Sequence, residues 1–248
     1  MAMREDMEKQ GAFLFRWRSY VPMVILPPLI LALFHSENIE RLFGDVGEHL
    51  WEALCLLISL SGLALRAGVA GYVLRGTSGR NTKGQAAEQL NTTGMYSIVR
   101  NPLYLGNFVI MLGALMFVQV WWLVLIGVFG FLFYYERIIF TEEEFLRKKF
   151  GKAFLDWAQR TPVFYPDFKR WQRPDLPFSF KTVLRREYST FFGIIASFTF
   201  IDIAADLATE RKLEIKPFWV VLFVGGLVVY LTLMAYKKKT KRLNVAGR

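Results

Sequence analysis

The chain has 248 residues, 54% of them hydrophobic, 16% aromatic and only 21% charged, with a net charge of +10 at pH 7. Soluble domains are about 45–50% apolar and about 25% charged, so this chain carries more apolar surface than one small core buries, and disorder is excluded too. The single cysteine excludes a disulfide framework, and two histidines, His35 and His49, leave too few soft ligands for a transition-metal centre. An integral membrane protein remains.

Six apolar runs are predicted to span a bilayer, which takes about 20 helical residues each. They are roughly Tyr20–Phe34, Trp51–Leu74, Leu103–Val118, Trp121–Phe140, Tyr188–Leu207 and Pro217–Tyr236. The first is short and carries Pro22, Pro27 and Pro28, so it is expected to kink and to extend back toward Phe13. His35-Ser36-Glu37 is no small-residue cleavage site, so this run reads as a retained anchor. Only Gln119 and Val120 separate the third and fourth runs, which predicts a tight antiparallel hairpin anchored at the interface by Trp121 and Trp122.

Basic residues set the orientation. With both termini in the cytoplasm, 26 of the 31 Lys and Arg fall on the cytosolic side and four on the other, with Arg66 inside the second span. This asymmetry follows the positive-inside rule and explains the net charge without a nucleic-acid partner. Intramembrane Arg66, Asp202 and Asp206 are costly in lipid. They read either as functional groups or as structural ones, with Arg66 snorkelling to the interface or pairing with Asp202.

Two cytosolic stretches carry dense polar and aromatic chemistry. The first contains Arg80-Asn81-Thr82-Lys83-Gly84-Gln85 and then Gly94-Met95-Tyr96, Arg100-Asn101-Pro102-Leu103-Tyr104-Leu105-Gly106, feeding directly into the third span. Pro102 suits a helix start, where its missing N–H would have been unpaired anyway. The second begins as the fourth span ends, with Glu142-Glu143-Glu144, then Phe150-Gly151, Phe154, Trp157, Pro162 and Pro166. Phe145, Leu146, Phe150, Phe154 and Trp157 recur at helical spacing, predicting an amphipathic helix on the membrane surface that Gly151 interrupts. Taken singly, one stretch is equally an interfacial loop with aromatic anchors, and the other a solvated charge run with Arg137 paired to a glutamate at a helical interval.

Together, in this order and spacing, these elements resemble the membrane methyltransferases that include isoprenylcysteine carboxyl methyltransferase and the phospholipid N-methyltransferases. The likeness covers about residues 80–166. Two positions depart from the family pattern: its histidine is Asn101 here, and its later tyrosine pair is Phe154 and Trp157. Asn101 still donates one hydrogen bond and accepts another, but takes no proton.

The resemblance implies an all-α, polytopic integral membrane protein of about six transmembrane helices with a cytosolic-side cofactor site. It divides the chain into an N-terminal two-span anchor (1-79), a methyltransferase core (80-170) and a two-span C-terminal extension (171-248) with no functional reading. The implied cofactor is S-adenosyl-L-methionine (SAM), with cofactor-binding candidates Gln85, Gly94, Tyr96, Asn101, Pro102, Tyr104, Glu143, Glu144, Phe154 and Trp157. Carboxylates accept from an ammonium or ribose hydroxyls, and aromatic faces suit adenine and a sulfonium. No Gly-x-Gly-x-x-Gly follows a strand-like segment, so a Rossmann cofactor site is not expected.

The reading is therefore an integral-membrane SAM-dependent methyltransferase acting on a membrane lipid or lipid-linked substrate, with no nucleic-acid or metal partner expected. If the source is bacterial, it sits in the inner membrane. An anionic oxygen acceptor, a carboxylate or phosphate headgroup, needs only a cation to orient it, whereas an amine must lose a proton. Both histidines lie on the far side, so the catalytic candidates are Arg100 and Arg137 for orientation, and Glu142 as the alternative base. Phospholipid amine N-methylation, an NADPH-dependent membrane reductase of similar architecture and a non-enzymatic transporter or scaffold stand as alternatives.

Overall fold

The computed structural model describes residues 3–36, 38–74, 87–209, 211, 216–240, 242–245 and 247, and at 38–41 and 43 the backbone alone. Every regular element among them is helical. In chain order these are α1 (Met3–Arg16), a 3₁₀ segment (Val21–Ile25) running into α2 (Leu26–Leu33), α3 (Asn38–Tyr72), α4 (Met95–Ile98) and α5 (Pro102–Phe117). Then come α6 (Trp121–Phe150), α7 (Lys152–Arg160), a 3₁₀ turn (Phe168–Arg170), α8 (Phe180–Thr209) and α9 (Pro217–Lys239).

Among the described residues, four helices are long and apolar enough to cross a membrane: Gly44–Tyr72 within α3, Trp121–Phe150, Phe180–Thr209 and Pro217–Lys239. The first and third predicted spans correspond to shorter apolar helices, Val21–Leu33 and Pro102–Phe117. Pro22 starts the 3₁₀ segment and Pro27-Pro28 start α2, so the prolines divide the first run into two pieces at positions where a missing N–H costs nothing. The α5–α6 hairpin is as tight as the sequence predicts, with Gln119 in the left-handed region (φ 64°) making the turn. Large apolar side chains such as Leu57, Phe133 and Val221 stand exposed on α3, α6 and α9, as helices in lipid require.

The bundle is organised around α3, whose most extensive partner is α5, followed by α8; α8 in turn packs on α9, and α1 lies along α6. Small residues let α3 and α5 approach closely. A Cβ at Gly62 would stand 2.6 Å from the Gly106 carbonyl, and one at Gly113 would stand 2.5 Å from the Cys55 carbonyl. Lipid offers no hydrophobic drive between helices, so such backbone proximity is what van der Waals packing can use. Near these contacts, Phe117, Phe198 and Trp219 close one core cluster with Cys55 and Ile194. Ala32, Leu33, Leu115, Val118, Val120 and Leu123 form another.

The intramembrane charges pair differently from the Arg66–Asp202 arrangement that the sequence left open. Arg66 meets Glu187 of α8, through Nε at 2.9 Å and Nη2 at 3.0 Å, and Asp202 instead accepts from Lys216 at 3.0 Å. At 1.5 Å per residue, Asp202 lies about 22 Å further along α8 than Glu187, beyond the reach of Arg66. Lys216 also lies within 4.0 Å of Glu48, Glu52 and Asp206, so one cation serves several carboxylates at that end.

Candidate active site

The two motif stretches are far apart in sequence and sewn together in space. Gly94 N–H donates to the Gln172 carbonyl (3.0 Å), Asp167 N–H to Ile98 (2.9 Å) and Arg100 N–H to Pro162 (2.8 Å). Ser97 Oγ accepts from Gln172 N–H (2.9 Å), the Asn101 amide donates to the Val163 carbonyl (3.2 Å), and the Trp157 indole donates to the Tyr96 carbonyl (3.0 Å). Gly94 takes φ +59° before α4, a conformation that glycine adopts without a Cβ penalty. Pro102 occupies the first turn of α5 as predicted and is fully buried. The chain thus brings Tyr96, Arg100 and Asn101 against the root of α5.

From the other side, α6 delivers three consecutive glutamates. Successive residues on a helix point about 100° apart, so each meets different company. Glu142 accepts from the Tyr104 hydroxyl at 2.8 Å. Glu143 accepts from Arg100 at 2.9 Å, whereas Glu144 pairs with Arg4 of α1 and with Arg147 at 3.0 Å. The helix runs on to Phe150 and breaks at Gly151 (φ +52°), where α7 begins. The predicted amphipathic helix is therefore two: the end of α6 and α7.

Between these walls lies a cavity of about 490 Å³, within the roughly 300–1,000 Å³ typical of small-molecule sites. Eight of the thirteen residues predicted from sequence line it: Tyr96, Arg100, Asn101, Pro102, Tyr104, Glu142, Glu143 and Trp157. Gly94 is buried just before α4, outside the lining, and Phe154 is buried next to Trp157, ring centroids 5.8 Å apart. Glu144 is taken up by its arginine pairs, away from the cavity lining. Gln85 lies outside the described residues.

Arg137 stands apart from the candidates that line the cavity. It sits on the face of α6 turned toward α1, donating to Glu136 (2.6 Å) and to Gln10 (3.2 Å), and is absent from the cavity lining. It lies five residues before Glu142, about 500° around the helix and so some 140° from the cavity-facing side. Its partner is also the adjacent Glu136 rather than one of the three consecutive glutamates.

The same cavity takes in residues that the motifs did not mark. Arg66 donates to Asn107 Oδ1 (2.6 Å), and Asn107 donates to the Tyr135 hydroxyl (3.2 Å). Tyr135 lies 4.5 Å from Tyr104 by ring centroids. With the Arg66–Glu187 pair, this makes a polar chain through α8, α3, α5 and α6. Arg18, beyond the end of α1, and Arg186 of α8 complete the lining charges. The Tyr104–Asn107 spacing of three places both on one face of α5 and was the available signal; Arg18 and Arg186 had none.

Two electrostatic features follow. Arg100 Nε and Glu143 Oε1 are buried without a hydrogen-bond partner among the described residues, so that ion pair keeps one donor and one acceptor for a ligand. Removal from water raises the Tyr96 phenol to about 12, with Glu142 adding to the rise and Arg186 opposing it. Tyr96 is thus a neutral hydroxyl throughout the physiological range.

These features define an all-α integral membrane protein with a polar, aromatic-walled cavity at the charged end of its bundle. The chain belongs to the phospholipid methyltransferase family, whose model matches residues 55–153. It is also similar to the nickel-cobalt-cadmium resistance protein NccN of Alcaligenes xylosoxydans xylosoxydans, 30% identical over 160 residues, 62% of this chain and 67% of that one. The cobalt-zinc-cadmium resistance protein CzcN of Cupriavidus metallidurans is 33% identical over 112 residues, which is 43% of this chain and 51% of that protein. No solved structure matches the chain.

Proposed function

We propose that this protein is an integral-membrane, SAM-dependent methyltransferase that acts on a lipid or lipid-linked acceptor from the cytosolic side. One observation carries the reading: the family-matched stretch 55–153 supplies most of the polar wall of a single cavity, from Arg66 to Glu143. The residues fit the cofactor. Glu142 and Glu143 are carboxylates for its ammonium and ribose hydroxyls, and Tyr96, Tyr104 and Trp157 present aromatic rings for adenine and the sulfonium. Arg100 Nε and Glu143 Oε1, without a hydrogen-bond partner among the described residues, offer the remaining polar capacity.

When bound, SAM supplies a methyl group already activated by positive charge. What the protein adds is alignment and exclusion of water, which together account for much of such a rate. Tyr104 fixes the Glu142 carboxylate by its 2.8 Å hydrogen bond, and Arg100 fixes that of Glu143. Neither histidine nor lysine is among the described residues lining the cavity, whereas arginine is there four times. An acceptor that is already an anionic oxygen suits this lining, because it asks for a cation and no base. The positive-inside asymmetry supports the cytosolic placement.

The two relatives are named for resistance to nickel, cobalt, zinc and cadmium. Methylating a lipid oxyanion removes a negative charge that gathers divalent cations at the membrane surface, and we read this chain's tie to such resistance in that way. Ligand-induced stabilisation tests the cofactor: SAM should raise the melting temperature of the detergent-purified protein and NADPH should not. Stabilisation by NADPH alone would replace methyl transfer with reduction.

A further inference from the structure

Hydrogen-bond direction along the polar chain is fixed by chemistry. A guanidinium only donates, and Arg66 directs Nε and Nη2 to Glu187 and Nη1 to Asn107 Oδ1. The Asn107 oxygen is therefore the acceptor, which leaves Nδ2 to donate to the Tyr135 hydroxyl at 3.2 Å. Tyr135 Oη thus accepts one hydrogen bond and still has its own proton to donate. Among the described residues that proton has no acceptor, since the Glu142 carboxylate takes the Tyr104 hydroxyl instead. Next to it on α6, Tyr134 Oη is buried with no hydrogen-bond partner among the described residues. The two rings meet edge to face, centroids 4.9 Å apart, and both side chains line the cavity. A buried donor without an acceptor is costly, so two in one lining call for a ligand that accepts.

Placement says what kind of ligand. Seven residues, two helical turns less about 20°, separate Tyr135 from Glu142, so the two share a face about 10 Å apart along α6. Tyr104 fills the interval, its hydroxyl on Glu142 and its ring 4.5 Å from that of Tyr135. The cavity therefore has two levels, carboxylates toward the end of α6 and neutral hydroxyl donors at its middle. At the inner level Leu132 and Phe133 of the same helix are exposed, as a lipid-facing flank requires. An amine that accepted a phenolic proton there would have its one lone pair occupied and could not attack a methyl group. An oxyanion accepts two hydrogen bonds and keeps a lone pair for attack. Fixed donors aimed at a charged oxygen also make the stronger class of hydrogen bond.

We propose that the Tyr134 and Tyr135 hydroxyls hold the methyl-accepting oxyanion of a lipid headgroup, with Asn107 and Arg66 as positioning residues that aim the Tyr135 proton. This deepens the methyltransferase reading and rests on it for the transfer step. As the new C–O bond forms, the C–S bond to the methyl group breaks with its electron pair left on sulfur, and both hydroxyls keep their protons.

The test measures binding to the full-length protein in detergent, with dihexanoyl phosphatidic acid and decanoate as the oxyanion lipids. Dihexanoylglycerol is the neutral probe, decylamine the amine and inorganic phosphate the free anion. The parent should bind at least one oxyanion lipid more tightly than the other three. Y134F and Y135F each remove one oxygen atom and should weaken that binding by about 10- to 100-fold. Their affinity for the demethylated SAM product should change by less than about twofold. N107L should weaken oxyanion binding when Tyr135 is present and add nothing when Y135F is already in place, which a merely structural Asn107 would not do. A full N107L effect on top of Y135F would overturn the positioning role. Phenylalanine variants that bind oxyanion lipid like the parent would overturn the subsite. So would a parent that binds dihexanoylglycerol, decylamine or inorganic phosphate as tightly, or a loss of SAM-product affinity with lipid binding intact, which would give the hydroxyls to the cofactor. If the parent binds no SAM product, the methyltransferase reading fails while the lipid comparison still decides the subsite.

Discussion

Arg66 of α3 and Glu187 of α8 face each other as a two-pronged ion pair, Nε and Nη2 at 2.9 and 3.0 Å from the two carboxylate oxygens, with side chains only 15% and 8% exposed. The pair joins the matched stretch to a helix beyond it, and its third donor continues into Asn107 and Tyr135. Breaking one partner strands the other charge. Arg66→Ala or Glu187→Ala should therefore destabilise the protein by about 3–5 kcal/mol, seen as a lower melting temperature in detergent. Arg66→Lys should recover little of it, because an ammonium lacks the fork. An unchanged melting temperature in all three would mean that the pair is incidental.

The three glutamates should separate cleanly in a cofactor assay. A ligand at 100 times its dissociation constant stabilises by about 2.7 kcal/mol. Glu142→Ala and Glu143→Ala should reduce or abolish the stabilisation by SAM, since both line the cavity. Glu144→Ala should keep it and lose only the link to Arg4 and Arg147. Loss of SAM binding in Glu144→Ala alone would place the cofactor elsewhere.

Arg137 and Arg100 make a second contrast. Arg137→Ala should change turnover and SAM affinity by no more than about twofold, as expected for a surface substitution. Arg100→Ala leaves Glu143 without its partner and should lower activity at least tenfold, on the order of a lost charged hydrogen bond. Parallel kinetics on labelled SAM check both.

For an oxyanion acceptor the pH–rate profile should be flat from about pH 6 to 9, because no proton has to leave the acceptor. Tyr96 adds no inflection there, its phenol standing at about 12. Its sign in stability is also set: a phenol that keeps its proton longer in the folded state contributes fully below about pH 10, where the unfolded phenol ionises. That contribution disappears as pH rises through about 12. A rate that climbs across pH 6 to 9 would point to an amine acceptor.

Motif order in the sequence located the heart of the cavity because Tyr96, Arg100, Pro102, Tyr104, Glu142 and Glu143 sit at fixed steps around two helix starts and ends. Helical phase explains why two candidates stand outside the lining. Arg137 and Glu144 are near neighbours of Glu142 in sequence but point to other sides of α6, which a reading by proximity does not register. Arg18, Arg186 and Glu187 lie on elements with no motif of their own, and only packing reveals that they share a wall with Tyr104. The span count was harder to read for a related reason. Composition shows where apolar runs occur, whereas Pro22, Pro27 and Pro28 decide where a helix restarts, and α5 stops at sixteen residues.

The most direct measurement is transfer of label from methyl-labelled SAM to a total lipid extract by the purified protein, with mass spectrometry of the labelled product. The expected result is a lipid that gains one methyl group on an oxygen of its headgroup, with Glu143→Ala inactive under the same conditions. No labelled lipid, from a protein shown to be folded and supplied with extract from its own host membrane, would contradict methyl transfer to a lipid.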